Sequence, residues 1–157
     1  MVAWSRVARE AADLVALAEG VLAARRMKTL ATLRQDGSPR LSEISGASVR
    51  DGELWLGIIP SAKERDLDRD PRCSVHCGSP TDAWGASVRV SGRALRERPG
   101  DRERLGLASP GADQTFSLFR LDVGEVVVTR PDPDTELILV EWWNTQRGSG
   151  RATRLGG

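Results

Sequence analysis

The sequence predicts a mainly β protein with flanking helices, built as an antiparallel barrel of about six to seven strands with Greek-key connections. Three observations lead there. The apolar spacing changes from about 3.6 residues to 2 near Lys28, most of the chain beyond that point alternates, and Asp-Gly pairs punctuate the alternation. An antiparallel sheet of that size tends to close on itself, because open edges invite aggregation. A two-sheet sandwich is the alternative. At 157 residues and 39% hydrophobic content, the chain fits one domain over 1–157 with a single core.

Residues 1–27 form an N-terminal helical segment. Val7, Ala8, Ala11, Leu14, Val15, Ala18, Val21 and Leu22 recur at three- and four-residue steps. Ser5 is placed to cap this helix, Gly20 to kink or split it, and Arg25, Arg26 and Lys28 to complement its C-terminus. Three strands follow at 28–34, 39–50 and 53–60, joined by Asp36-Gly37 and Asp51-Gly52 turns, and so read as a meander. Residues 61–71 read as a short helix, with Ser61 and Glu64 at capping-box spacing and Pro71 at its end. A fourth strand covers 72–77 and a fifth 84–97, with bulges expected at Gly85 and Gly92. A polar excursion over 98–114 holds one helical turn. Strands at 116–130, bent at Gly124, and at 136–144 complete the barrel, and 145–157 is a flexible basic tail.

Composition narrows the function. Lys and Arg number 23 against 22 Asp and Glu, and a net charge of +1 gives no long-range pull toward nucleic acid or an anionic membrane. No apolar run approaches the roughly 20 residues of a membrane span. Arg6, Arg9, Glu10 and Asp13 interrupt any signal-peptide core, so a soluble cytoplasmic protein is expected. Cys73 and Cys77, on one face of a strand, would stand about 13 Å apart at roughly 3.3 Å per residue, too far for a disulfide. They read as small buried hydrophobes, and no metal site is expected. The single histidine, His76, reads as a strand residue. No Gly-x-Ser-x-Gly elbow, strand-borne Gly-x-Gly-x-x-Gly or Walker loop is present.

One constellation suggests a ligand. Arg40 opens the second strand, and Ser61, Ala62 and Lys63 stand where the third strand meets the short helix. A phosphate monoester there would take charge-assisted hydrogen bonds from Arg40 and Lys63, with the Ser61 hydroxyl and the open N–H groups of the helix as further donors. On spacing alone, a capped surface helix with solvated charges explains the same residues.

The order of motifs is more specific than the spacing. "LATLRQDGSPRLSEI", "LWLGIIPSAKERDLDRDPRCSV", "SVRVSGRA" and the closing "VEWWNTQRG" resemble the pyridoxamine 5′-phosphate oxidase-like family of FMN-binding split barrels, from about Leu30 to Arg147. The resemblance implies a flavoprotein homodimer with FMN at the subunit interface. It implies that Arg40, Ser61 and Lys63, with Ala62 between them, hold the flavin phosphate. It places Leu41, Ser42 and Ser45 on one strand beside the ribityl chain and ring, and Leu56 and Gly57 on the next. Trp143 and Arg147 match tail positions that approach the cofactor, often from the second subunit.

The chain also departs from the family. Asp66 stands where Asn is common, Ser45 where true pyridoxamine phosphate oxidases carry lysine, and Thr145 where the tail has proline; tyrosine is absent. An oxidoreductase acting on a small substrate other than pyridoxine phosphate is therefore expected, with hydride transfer supplied by the cofactor. A deazaflavin coenzyme shares the phosphate-bearing ribityl chain and is the alternative, its anionic tail met by Arg147, Arg151 and Arg154. A non-catalytic flavin- or haem-binding protein and a plain interaction domain are the further readings. No catalytic residue is assigned; Glu43 and His76 are the only titratable candidates. Of Trp142 and Trp143, one is expected in the core or a dimer interface and the other near the flavin, while Trp55 and Trp84 are expected in packing roles.

Overall fold

The computed structural model of the chain describes residues 2–78, 85–98, 100–106 and 116–155. Its elements run α1 (Trp4–Glu10), α2 (Ala12–Ala24), β1 (Lys28–Leu33), β2 (Pro39–Ile44), β3 (Gly46–Arg50), β4 (Glu53–Ile58), α3 (Ala62–Arg69), β5 (Arg72–Gly78), β6 (Ser87–Arg96), α4 (Asp101–Arg104), β7 (Ser117–Pro131), β8 (Leu137–Asn144) and β9 (Gly148–Leu155). The strands form one antiparallel sheet in the order β2-β1-β5-β6-β7-β4-β3, with β8 on β7 and β9 on β8. Strands β2 and β3 lie at opposite ends of that path, yet Ser45 alone separates them in the chain. The sheet satisfies both conditions only by curling until its ends meet, and this makes the barrel.

The two pairings of the expected meander are present, as the β1–β2 and β3–β4 hairpins, but the middle strand divides between them, and the other edge of β4 pairs with β7 (Leu54↔Leu121, Leu56↔Phe119). The strand expected over 39–50 breaks at Ser45, because one straight strand cannot serve both edges of the sheet. The described residues hold nine strands where about six to seven were expected. The basic tail supplies one of them: β9 pairs residue for residue with β8, from Asn144↔Gly148 to Leu137↔Leu155. The ring of Trp142 lies so close over Gly150 that a Cβ there would come within 2.5 Å of it.

The N-terminal segment is two helices, broken at Ala11 (φ −149°, ψ 59°) and not at Gly20, which lies exposed inside an unbroken α2. Two indoles fix the arrangement. Trp4 Nε1 donates to Glu19 at 2.7 Å, and Trp143 Nε1 donates to Glu10 at 2.9 Å. The first helix is capped at Ala3, not Ser5. Strand β7 runs unbroken through Gly124, pairing with β4 by its first half and β8 by its second. The bulge expected at Gly92 is present: the register shifts between Ser91 and Gly92, where a Cβ would stand 2.2 Å from the Asp122 carbonyl oxygen. Trp84 and most of the expected excursion, 107–115, lie outside the described residues.

The core has two main parts. One packs Trp4, Val7, Val15 and Leu22 of the helices on Val88, Leu121, Val126 and Trp143 of the sheet. The other fills the barrel between Leu30, Ile44, Leu56, Ile58 and Phe119, with Leu67 of α3 inserted. Cys77 lies in the first, and Cys73 packs against both, as expected of small hydrophobes. No helix among the described residues is long and apolar enough to cross a membrane.

Candidate functional site

The short helix α3 is held from both ends of its length. Leu67 is buried in the barrel. Arg96 of β6 bridges to Asp68 at 2.6 Å and Glu64 at 3.2 Å, and its guanidinium lies 4.9 Å above the Phe119 ring. The Glu64 carboxyl also accepts from the Ser117 hydroxyl. That bond, with burial opposing it and Arg96 reinforcing it, holds the Glu64 pKa below the ordinary value.

Asp66 ties α3 to β2. It is only 3% exposed, and its Oδ2 accepts from Arg40 Nε at 2.6 Å and from the Thr32 hydroxyl at 2.9 Å, while Arg69 reaches Oδ1 at 3.3 Å. Burial pushes this carboxyl upward, but the hydrogen bonds from Arg40, Thr32 and Arg69 outweigh it, and its pKa lies below the ordinary value. Arg40 is thus fixed through Nε, and no hydrogen bond engages its two terminal nitrogens among the described residues. Lys63, on the first turn of α3, has no ion pair or hydrogen bond among the described residues.

Ser61 is the N-cap residue, as expected, but its hydroxyl donates to the Ile59 carbonyl at 2.8 Å and does not cap the helix. The first-turn N–H groups of α3 therefore remain open. Arg40 is thus tied through Asp66 to the helix whose first turn carries Lys63 and those N–H groups.

A second part lies on the outer face of β4. Alternation points Leu54, Leu56 and Ile58 into the barrel and Trp55 and Gly57 outward. Gly46 and Gly57 face each other in register, and a Cβ on Gly46 would meet the Gly57 carbonyl oxygen at 2.6 Å. On Gly57 it would stand 3.5 Å from Phe116. This bare glycine wall, with Ser45, Ser48, Arg50, Trp55, Phe116 and Leu118, lines a cavity of about 330 Å³. Ser45 lies five residues along the chain from Arg40, about 16 Å in extended conformation.

The structure thus brings Ser45 and Gly57 into one cavity, and Arg40 to the helix that carries Ser61, Ala62 and Lys63. Leu56 faces the barrel interior and offers the outer face only its backbone. Leu41 is 72% exposed, and Ser42 is half-buried on the opposite face of β2. Trp143 is 1% exposed in the core and closed to a ligand, and Arg147 is exposed at the β8–β9 turn. Neither lines the cavity.

Sequence reasoning missed Asp66 as the partner of Arg40, and it missed Arg50, Trp55 and Phe116 as cavity walls. Alternation in "ELWLGI" was the available signal, since it puts Trp55 on the same face as Gly57. His76 lies exposed on β5, across from Thr29 and Arg89 and away from the cavity. Burial pushes the Cys73 thiol up to about 12, which leaves it inert.

A family model described as pyridoxamine 5′-phosphate oxidase matches residues 15–152. No curated protein matches the chain. Among solved structures it is similar to a pyridoxamine 5′-phosphate oxidase-related, FMN-binding protein from Nostoc punctiforme, at 14% identity over 92% of this chain and 95% of that one, with a TM-score of 0.59. It is similar to a heme binding protein from Mycobacterium smegmatis, at 20% identity over 89% and 86%, TM-score 0.60. It is also similar to a FAD-binding protein from Mesorhizobium loti, at 23% identity over 71% and 90%, TM-score 0.54. At such identities the likeness is one of fold, the split β-barrel.

Proposed function

The chain belongs to the pyridoxamine 5′-phosphate oxidase family, and from that premise we propose that it is an FMN-dependent oxidoreductase working as a homodimer on a small substrate other than pyridoxine phosphate. The observation that carries the reading is the glycine-walled cavity lying along the chain from a cationic helix start. A planar ring would meet only small residues, Ser45, Gly46 and Gly57, along one side of this cavity, and a phosphate fits the donors of Arg40, Lys63 and α3. The similar proteins from Nostoc punctiforme and Mesorhizobium loti, named for FMN and FAD, support a flavin.

Each residue has a stated task. Arg40 and Lys63 neutralise the phosphate, and Asp66 holds Arg40 so that its terminal nitrogens face the ligand. Ser45 borders the ring, with Gly57 opposite. Phe116 and Leu118 exclude water from one side. When bound, the flavin supplies hydride transfer; no side chain is asked for general acid or base work. The other side of the cavity belongs to a second subunit in this reading. Leu41 at 72% and Ile59 at 60% exposure flank the site and are the apolar surface that such a partner would cover.

Haem is the second reading, favoured by the similar Mycobacterium smegmatis protein. His76, the sole histidine of the sequence, is not placed at the cavity to ligate it.

The test is the visible spectrum of the protein purified from a host that makes FMN, followed by separate titrations with FMN and a deazaflavin coenzyme. Arg40→Ala and Lys63→Ala are each expected to weaken FMN binding about ten- to a hundredfold, the worth of one charge-assisted hydrogen bond. Binding of the deazaflavin alone moves the function to deazaflavin-dependent reduction. A Soret band moves it to haem, and no binding of any of the three removes the cofactor role.

A further inference from the structure

Trp55 has an unmet requirement. Its side chain is 2% exposed, packed with Leu105 and Leu118, and its indole N–H has no hydrogen-bond partner. Among the described residues it is the only buried side-chain donor left without a partner. Two carboxylate oxygens are also unpaired, on Glu53 and Glu97, but Arg120 and Arg102 hold the other oxygen of each. A buried donor without an acceptor is unfavourable, and native proteins rarely leave one unmet. Trp55 lines the glycine-walled cavity, so the missing acceptor has a place to come from. Arg104 sits 5.7 Å from the centre of the indole, held by Asp51 and Asp101. A cation over the ring draws electron density from it and makes the N–H a better donor.

We infer that Trp55 recognises the ligand's ring, donating its indole N–H to a ring carbonyl of a planar heteroaromatic such as the dione edge of a flavin or deazaflavin. The inference rests on the flavin reading of this cavity. It assigns to a tryptophan expected only to pack the role of choosing the ring, separately from the phosphate donors. A carbon-edged planar ring would leave the N–H unmet and bind less well. The Ser45 and Ser48 hydroxyls and Arg50 offer further polar contacts along the same walls.

Calorimetric titration of the full chain with FMN, and in parallel with ribitol 5-phosphate, which keeps the phosphate and lacks the ring, tests it. Trp55→Phe keeps an aromatic side chain and removes the N–H. It is expected to weaken FMN about threefold to tenfold, the worth of one net hydrogen bond, and to leave ribitol 5-phosphate unchanged. Equal weakening of both ligands, or of neither, overturns the inference while the flavin reading stands. Failure of the wild type to bind FMN overturns both. If Trp55→Phe does not fold, the wild type labelled with ¹⁵N-tryptophan answers the same question. FMN, but not ribitol 5-phosphate, should shift the assigned Trp55 indole proton downfield, and an unmoved resonance under saturating FMN overturns the inference.

Discussion

Asp66 shows how one residue decides the character of a site. A buried carboxylate is unfavourable unless its charge is met, and here Thr32, Arg40 and Arg69 meet it. Asp66→Ala strips Arg40 and Thr32 of their acceptor and is expected to lower the unfolding free energy by about 1–3 kcal/mol in a urea titration. Asp66→Asn keeps an acceptor oxygen and should lower it less. The pH dependence has a definite sign. The folded carboxyl lies below the ordinary 3.8, so the folded state binds this proton less tightly than the unfolded chain does. Its contribution is complete above that value and is lost as the pH falls through the folded value. Acid unfolding monitored by circular dichroism should therefore be steeper below about pH 4 in the wild type than in Asp66→Asn. The carboxylate was noted in the sequence as a departure from the family pattern. Its partner was not legible there, because Thr32, Arg40 and Arg69 meet only after β1, β2 and α3 have assembled.

At the scale of elements, α3 depends on the barrel more than on itself. At eight residues it is too short to be stable alone, and no side chain caps its start. Leu67 in the barrel and the Arg96 bridges to Glu64 and Asp68 hold it in place. Leu67→Ala should therefore cost about 2–5 kcal/mol by urea unfolding, and should weaken FMN at temperatures where the fold persists, since α3 carries Lys63. The elements themselves were well signalled. Apolar periodicity located the helices and strands, and the turn residues located both Asp-Gly hairpins. Their breaks were not signalled. The N-terminal helix breaks at Ala11, with Glu10 and Glu19 on either side each accepting from a tryptophan of a different element, and nothing in the local pattern reports those contacts. The same holds for β9, whose glycines and arginines read as mobile until β8 presents a free edge.

At the scale of the molecule, closure of the sheet was legible and its route was not. Alternation gives the inward face of each strand, but it does not say which strand lies beside which. Leu56 and Phe119 both face the barrel interior, and their pairing depends on the chain crossing from one edge of the sheet to the other at Ser45. The proposed site has the same origin. Its phosphate end sits by β2 and α3 and its ring end by β3 and β4; the chain links them at Ser45 and after β4, and the folding of the barrel sets Arg40 of β2 against α3. On the outward face of β4 the sequence assigned Trp55 a packing role and, by resemblance, set Gly57 beside the cofactor; the glycine pair itself follows from the register Gly46↔Gly57.

The one-residue link at Ser45 also sets a clock. The hairpins on either side of it are local and form fast, whereas the closing contacts join distant parts of the chain; the Arg120–Glu53 ion pair spans 67 residues. Folding then waits on a search for distant partners, and refolding is expected in the millisecond-to-second range of strand-rich domains. A Gly-Ser-Gly insertion after Ser45 lets the second hairpin wander while that search proceeds. In stopped-flow measurements it should slow refolding and leave the unfolding rate nearly unchanged. Faster unfolding with unchanged refolding would instead mean that the ends of the sheet come together only after the barrier is crossed.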